Sequence, residues 1–189
     1  MTIHVYDKAS MKLNEVILVN EQDEPIGVME KMEAHRRGVL HRAFSVFIFD
    51  SRGRMLLQQR ALEKYHGGHL WTNACCSHPF PDEHVADAAR RRLLEELGFV
   101  SPLHPIFSFT YHAHVENDLI EHEYDHVFAG QYEGEIKPNA DEVADYAYED
   151  MDSIKWAIEN QPEKFTSWFK IAFPVIEKWW QQQYATKTV

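Results

Sequence analysis

Apolar residues recur along the chain with two periods, and these predict most of its elements. Val16–Asn20 and Ile26–Glu30 are short strand-like runs around the polar Glu21–Pro25, which reads as a hairpin. Ala43–Phe49 is apolar at almost every position and reaches Met55–Gln59 through Asp50-Ser51-Arg52-Gly53, a second hairpin. A helical rhythm then covers roughly Glu83–Leu97, after the turn-like Pro79–Asp82. Asp82 is its expected N-cap and Gly98 its stop. Strands are expected at Phe107–His114, Leu119–Tyr132 and Asp145–Tyr148. Helices follow at Ser153–Asn160 and Glu163–Gln183, the second interrupted or kinked at Pro174, which has no N–H to donate. Strand runs mixed with separate helices, without repeat or linker, point to an α+β fold. An α/β/α sandwich is expected, as one domain over residues 1–189.

Charge narrows the partners. A formal net charge of −11 argues against nucleic acid or an anionic membrane surface, both of which reward a basic patch. A small anionic substrate stays open, because a few arginines suffice for a local positive pocket. The first thirty residues contain no long apolar core, so neither signal peptide nor membrane span is expected, and the cytoplasm is the expected compartment. Thiols stay reduced there. The chain has two cysteines, and they are adjacent, Cys75 and Cys76. Neighbouring Cα atoms lie ~3.8 Å apart, below the ~4.4–6.8 Å that a disulfide spans. Two thiolates are also too few for a structural zinc site. Packing or chemistry remains.

Three places could carry chemistry. In an extended segment Cys76 and His78 share one face while Cys75 takes the other, so only one thiol can line a cleft with His78. In a strand over Leu119–Ala129, Glu121, Glu123 and Asp125 face together, opposite Ile120, His122, Tyr124, His126 and Phe128. That face is either a solvated edge or a site for a hard cation, which His35 and His41, flanking Gly38 in a loop entering a strand, could complete. Third, Val85, Ala89, Leu93 and Leu97 form a stripe about 120° wide, and Glu96 falls inside it at about 20°. A carboxylate there must be paired or bound to metal. Arg92, one turn earlier, offers an ion pair.

Glu83 followed by Arg91-Arg92-Leu93-Leu94-Glu95-Glu96-Leu97-Gly98-Phe99 resembles the Nudix box, G-x5-E-x7-R-E-U-x-E-E-x-G-U, where U is apolar. Ser77 replaces the first glycine and Arg92 replaces a glutamate. In Nudix hydrolases the box glutamates hold divalent ions that activate water, so this exchange argues against ordinary hydrolysis. The altered box, preceded by Thr72-Asn73 and Cys76-Ser77-His78-Pro79, is similar to type 1 isopentenyl diphosphate isomerases. Further matches are Glu30-Lys31, His41-Arg42-Ala43-Phe44-Ser45, Arg60-Ala61-Leu62 with Lys64, Tyr111, Glu121 with Glu123, and Asp141-Glu142-Val143.

The resemblance implies a Nudix-type mixed sheet flanked by helices, with additions at both ends, acting as a monomer on a small isoprenyl diphosphate. It makes Cys76 and Glu123 the proton-transfer residues, and His35, His41, His78, Glu121 and Glu123 ligands of one divalent ion, Mn²⁺, Zn²⁺ or Mg²⁺. It gives Glu96 a second ion, Mg²⁺, shared with substrate phosphate. Lys31, Arg60, Lys64 and Arg92 match diphosphate-binding positions, Tyr111 a support of the catalytic carboxylate, and Trp168 the aromatic facing the reacting carbons. Trp168 also falls beside a helical apolar stripe of Phe165, Phe169, Phe173, Ile176 and Trp180, which reads equally as core. Two other functions fit parts of the pattern: a divergent Nudix hydrolase of nucleoside diphosphate derivatives, and a non-catalytic diphosphate- or metal-binding module.

Overall fold

Ala43–Phe49 is apolar on both of its faces because it runs through the middle of the molecule. The computed structural model describes residues 14–184, so the ends of the expected 1–189 domain lie outside the described residues. Among the described residues there are nine strands: β1 (Glu15–Val19), β2 (Pro25–Glu30), β3 (His41–Phe49), β4 (Met55–Arg60), β5 (Trp71–Thr72), β6 (Cys75–Ser77), β7 (Leu103–His114), β8 (Ile120–Gln131) and β9 (Val143–Glu149). The helices are α1 (Lys31–Arg37), α2 (Val85–Leu97), α3 (Met151–Asn160) and α4 (Ser167–Tyr184).

All nine strands belong to one mixed sheet with β3 as its hub. β3 pairs with β8 in parallel, from His41 opposite Glu123 to Phe49 opposite Gln131. It pairs antiparallel with β6, placing Ser45 opposite Cys76. It also meets β1 at Leu18 and β4 at Met55. β7 and β8 form a long hairpin, and β9 pairs with β4. Alternation along β3 then builds two cores. Phe44, Val46 and Ile48 pack under Ala88, Ala89, Leu93 and Leu97 of α2. Phe47 and Phe49 pack under Ile154 of α3 and Phe169, Phe173 and Ile176 of α4. Helices therefore cover both faces, the expected α/β/α sandwich. Leu93 is fully buried, so truncation to alanine should cost about 2–5 kcal/mol.

Both hairpins and the three later strands form where the sequence places them, with ends shifted by a few residues. Four local expectations are corrected. Helix α2 begins at Val85 rather than Glu83, and its N-cap is His84, whose Nδ1 accepts from Ala86 N at 3.3 Å. Asp82 cannot take that role, because its backbone is left-handed (φ 69°) and an N-cap sits in the extended region. Glu163 and Lys164 belong to a separate 3₁₀ turn, Pro162–Lys164, and α4 starts at Ser167. The bridge between Trp71 and Phe165 holds the chain extended between them. Nor does Pro174 interrupt α4. It lies on the solvent face, where water can satisfy the carbonyl it leaves unbonded. Finally, His35 lies in α1 and not in a loop. Glu30 caps this helix through Met32 N and Glu33 N at 3.1 and 2.8 Å, and Gly38 ends it at φ 61°.

Candidate active site

Strand parity places the three carboxylates of β8 together, facing the α4 side. The face is not a solvated edge: Glu121, Glu123 and Asp125 are 3 %, 7 % and 1 % exposed. The alternate residues leave the site, with His122 Nδ1 bonded to Gly38 O at 2.8 Å and His126 Nε2 to Asp23 Oδ2 at 2.9 Å. Buried carboxylates need partners, and three elements supply them. His35 comes from α1, His41 opens β3, and His78 follows β6.

The outer nitrogens of two of these rings are held by backbone carbonyls. His35 Nδ1 meets Lys31 O at 2.6 Å and His41 Nδ1 meets Val39 O at 2.8 Å. A carbonyl only accepts, so the proton sits on Nδ1 and the Nε2 lone pair points inward. His41 Nε2 lies 3.2 Å from His78 Nε2, which lies 2.8 Å from Glu123 Oε1. His35 Nε2 lies 3.3 Å from Glu121 Oε2, and both atoms are buried without a hydrogen bond. One donor atom from each of His35, His41, His78, Glu121 and Glu123 falls within 4.8 Å of all the others. Two inward imidazole lone pairs beside two buried carboxylates, with His35 Nε2 and Glu121 Oε2 unsatisfied, are what a divalent cation requires, so these residues fit one. Nitrogen and oxygen donors together suit Mn²⁺, Zn²⁺ or Mg²⁺.

Electrostatics agree with the geometry. Burial alone would raise Glu121, but His35 and His66 beside it hold it well below the usual carboxylate range. Burial and the Glu121 charge push Glu123 up, yet His41 and His78 outweigh them and it too is lowered. Asp125 goes the other way: burial and the Glu123 charge raise it well above its ordinary value. It turns instead to Ser45, whose hydroxyl donates to Oδ2 at 2.7 Å. Burial drops His78 to about 3, so its ring is a neutral donor of electrons.

The two cysteines separate as parity requires. Cys75 is fully buried beneath α2, with its sulfur 3.5 Å from Glu96 Oε1. Cys76 faces a cleft that also exposes His78, Glu121, Glu123, Tyr111, Trp168 and Arg60. Its sulfur lies 3.0 Å from Asn73 Oδ1 and 3.4 Å from Ser45 Oγ. Burial first, then the Asp125 charge, raise the Cys76 pKa, so it stays a thiol at neutral pH. Tyr111 donates to Glu123 Oε2 at 2.6 Å. Trp168, on α4, is buried with its indole N–H unpartnered, and the Arg60 guanidinium carbon lies 5.2 Å from its ring centre. Trp168 packs in the same core as Phe169, Phe173 and Ile176 and also lines the cleft, so it serves both.

The cations gather beside these groups. Lys31 sits 4.5 Å over the Tyr65 ring. Burial chiefly, together with the charges of Lys64, Arg92 and Arg60, lowers its pKa to about 8 despite the opposing Glu121 charge. Arg92 bridges Glu96 Oε1 at 2.7 Å and Glu142 Oε1 at 3.1 Å, and Lys64 ion-pairs with Glu142. Gln58 donates to the other oxygen of Glu96 at 3.0 Å. The ion pair expected from helical spacing thus forms, and each Glu96 oxygen meets a donor, Oε2 taking Gln58 alone. Arg92 Nε and Arg60 Nε remain buried and unpartnered. Glu83 of the box is structural, taking Arg91 at 2.8 Å through both oxygens.

Sequence reasoning singled out neither Asn73, Ser45 nor His66 for the site. Asn73 and Ser45 stand inside matched motifs, which was a usable signal. His66 had none, since a loop histidine shows its partners only in three dimensions.

A NUDIX domain model matches residues 39–169. The chain is 52 % identical to the isopentenyl-diphosphate Delta-isomerase of Pectobacterium atrosepticum, over 90 % of this chain and 96 % of that one. It is 49 % identical to the isopentenyl-diphosphate Delta-isomerase of Burkholderia multivorans, over 87 % and 96 %. Solved structures share the fold at lower identity. A Deinococcus radiodurans protein superposes with a TM-score of 0.73 at 18 % identity, covering 85 % of this chain and 97 % of that one. A MutT protein of Methanosarcina mazei gives 0.61 at 16 %, covering 74 % and 94 %. A Nudix fold, a box altered at Arg92, and half-identical relatives along nearly the whole length lead to one assignment: the chain belongs to the isopentenyl-diphosphate Delta-isomerase family of the Nudix superfamily.

Proposed function

We propose that this protein interconverts isopentenyl and dimethylallyl diphosphate, with Cys76 and Glu123 as the acid–base pair. The observation that carries the reading is their presence in one cleft, from strands on either side of β3, beside a converging histidine–glutamate group. One group gives a proton to the terminal alkene carbon, leaving a tertiary carbocation-like state, and the other removes a proton from the allylic carbon. The reverse direction exchanges the roles. Burial keeps the Cys76 thiol protonated, so it has a proton to give once substrate is bound. Glu123 is held ionised by His41 and His78 and oriented by Tyr111.

Bound ions at the histidine–glutamate group and, as Mg²⁺, beside Glu96 would respectively fix and tune Glu123 and neutralise the diphosphate. Arg60, Lys31, Lys64 and Arg92 bind and orient that diphosphate, the two unpartnered Nε groups being donors without a protein acceptor. Trp168 presents an aromatic face, which stabilises positive charge without adding to it as a nucleophile would. The buried walls exclude water that would trap the cation. Hydrolysis is disfavoured because Arg92 occupies a box glutamate position and already neutralises Glu96.

The test is proton and phosphorus NMR of isopentenyl diphosphate incubated with the protein and Mg²⁺. Dimethylallyl methyl signals should appear with the diphosphate intact. Folded, metal-loaded protein that gives no conversion contradicts the reading.

A further inference from the structure

The two glutamates on β8 are supported in parallel ways, and only one support has a role in the reading above. Glu123 directs Oε1 to His78 Nε2 and receives Tyr111 on Oε2 at 2.6 Å. Glu121 directs Oε2 to His35 Nε2, and its Oε1 lies 2.6 Å from His66 Nε2. His66 is 4 % exposed. Its ring is clamped edge-to-face by Tyr65 at 4.4 Å and Trp168 at 5.5 Å between centres. Neither ring nitrogen has a formed hydrogen bond, so the Glu121 contact is close but imperfectly aligned. Among the described residues no other group takes the ring proton, and Glu121 Oε1 is the acceptor in reach.

We infer that His66 is a positioning residue for the metal-holding group: its Nε2–H takes Glu121 Oε1 and so presents Oε2 alone to the ion. It does for Glu121 what Tyr111 does for Glu123. A carboxylate free to rotate offers either oxygen or both, whereas one anchored by an outer donor offers a single oxygen in a fixed place. Outer donors of this kind change metal affinity by ~10–100-fold. The ring also packs on Trp168, which faces the reacting carbons in the proposed function. His66 therefore joins the ion-holding wall to the aromatic one. This inference rests on that reading of the metal group.

The experiment uses the full chain and measures Mn²⁺ and Zn²⁺ affinity by chelator competition, without substrate. His66→Phe keeps an aromatic ring between Tyr65 and Trp168 and removes the donor. His66→Gln restores a donor without the ring. The inference expects His66→Phe to bind the ion ~10–100-fold more weakly and His66→Gln to recover most of the loss. Thermal unfolding of each protein establishes that it is folded, and His66→Ala serves if the phenylalanine is not accommodated. Wild-type affinity in folded His66→Phe or His66→Ala overturns the inference and leaves the metal group standing. Wild-type protein without stoichiometric metal overturns the metal group and the inference together.

Discussion

Around Glu96, each carboxylate oxygen meets a donor: Arg92 and the Cys75 thiol on one, Gln58 on the other, with Glu142 and Lys64 extending the ion pairs. Around Glu121 and Glu123, imidazole lone pairs and carboxylate oxygens face one another, and His35 Nε2 and Glu121 Oε2 have no hydrogen bond at all. Both clusters are buried against the same sheet, but the first pairs its carboxylates with Arg92 and Lys64, whereas the second contains no lysine or arginine. The difference shows what one substitution in a helix can do. With Arg92 in a box glutamate position, α2 carries its own cation. The acceptor-rich set sits instead on α1, β3, β8 and the end of β6. In the proposed function, proton chemistry belongs to that second cluster and anion binding to the unfilled donors bordering the first.

The largest effects should come from the proton-carrying groups of the acceptor-rich cluster. Cys76→Ala and Glu123→Gln should each lower the isomerisation rate by ~10²–10⁴-fold or more. Cys75→Ala, on the other face of β6, should keep most activity and show its effect in thermal unfolding. A dead Cys75 variant beside a working Cys76 variant would reverse the roles of the two faces.

Next in size is metal retention. His78→Ala, and more so His41→Ala with His78→Ala, should lose a divalent ion that elemental analysis finds in the wild type. Full retention by the folded double variant would move the ion elsewhere, most directly to the Glu96 cluster.

Most of this contrast was legible in the sequence. Period-2 alternation separated Cys75 from Cys76 and grouped Glu121 with Glu123, because a strand leaves side chains no other choice of face. Helical periodicity placed Glu96 and Arg92 together. Helix α1 was not legible: a seven-residue turn capped by Glu30 and Gly38 shows too little apolar periodicity, and its position depends on packing against β8. The start of α2 was misplaced because Asp82 has the right side chain for a cap on the wrong backbone. His66 escaped because its partners, Glu121, Tyr65 and Trp168, converge only on folding.

A smaller effect sharpens the role of the ion-paired cluster. Arg92→Ala should raise the apparent KM for the diphosphate by roughly 10–100-fold, the worth of ~1.5–3 kcal/mol for a charged hydrogen bond. Glu96→Gln should instead raise the Mg²⁺ concentration needed for half-maximal rate. An unchanged KM in folded Arg92→Ala would make that arginine only a partner of Glu96.

Smallest is the pH response of Lys31. Burial and neighbouring cations hold its pKa at about 8, so its protonated fraction falls as pH rises through that value. An anion binds the protonated form, so KM should increase above pH 8 and level off below it. Lys31→Arg, which stays charged, should flatten that limb. A profile identical in both proteins would remove Lys31 from diphosphate binding.

The central claim, an acid and a base acting across one allylic system, is tested most directly by running the reaction in D₂O with Mg²⁺. Proton NMR should show deuterium entering carbon-bound positions at both ends of that system, with no phosphate released. Glu123→Gln should suppress the exchange. Phosphate release at the rate of turnover, with no deuterium in recovered substrate or product, would contradict it.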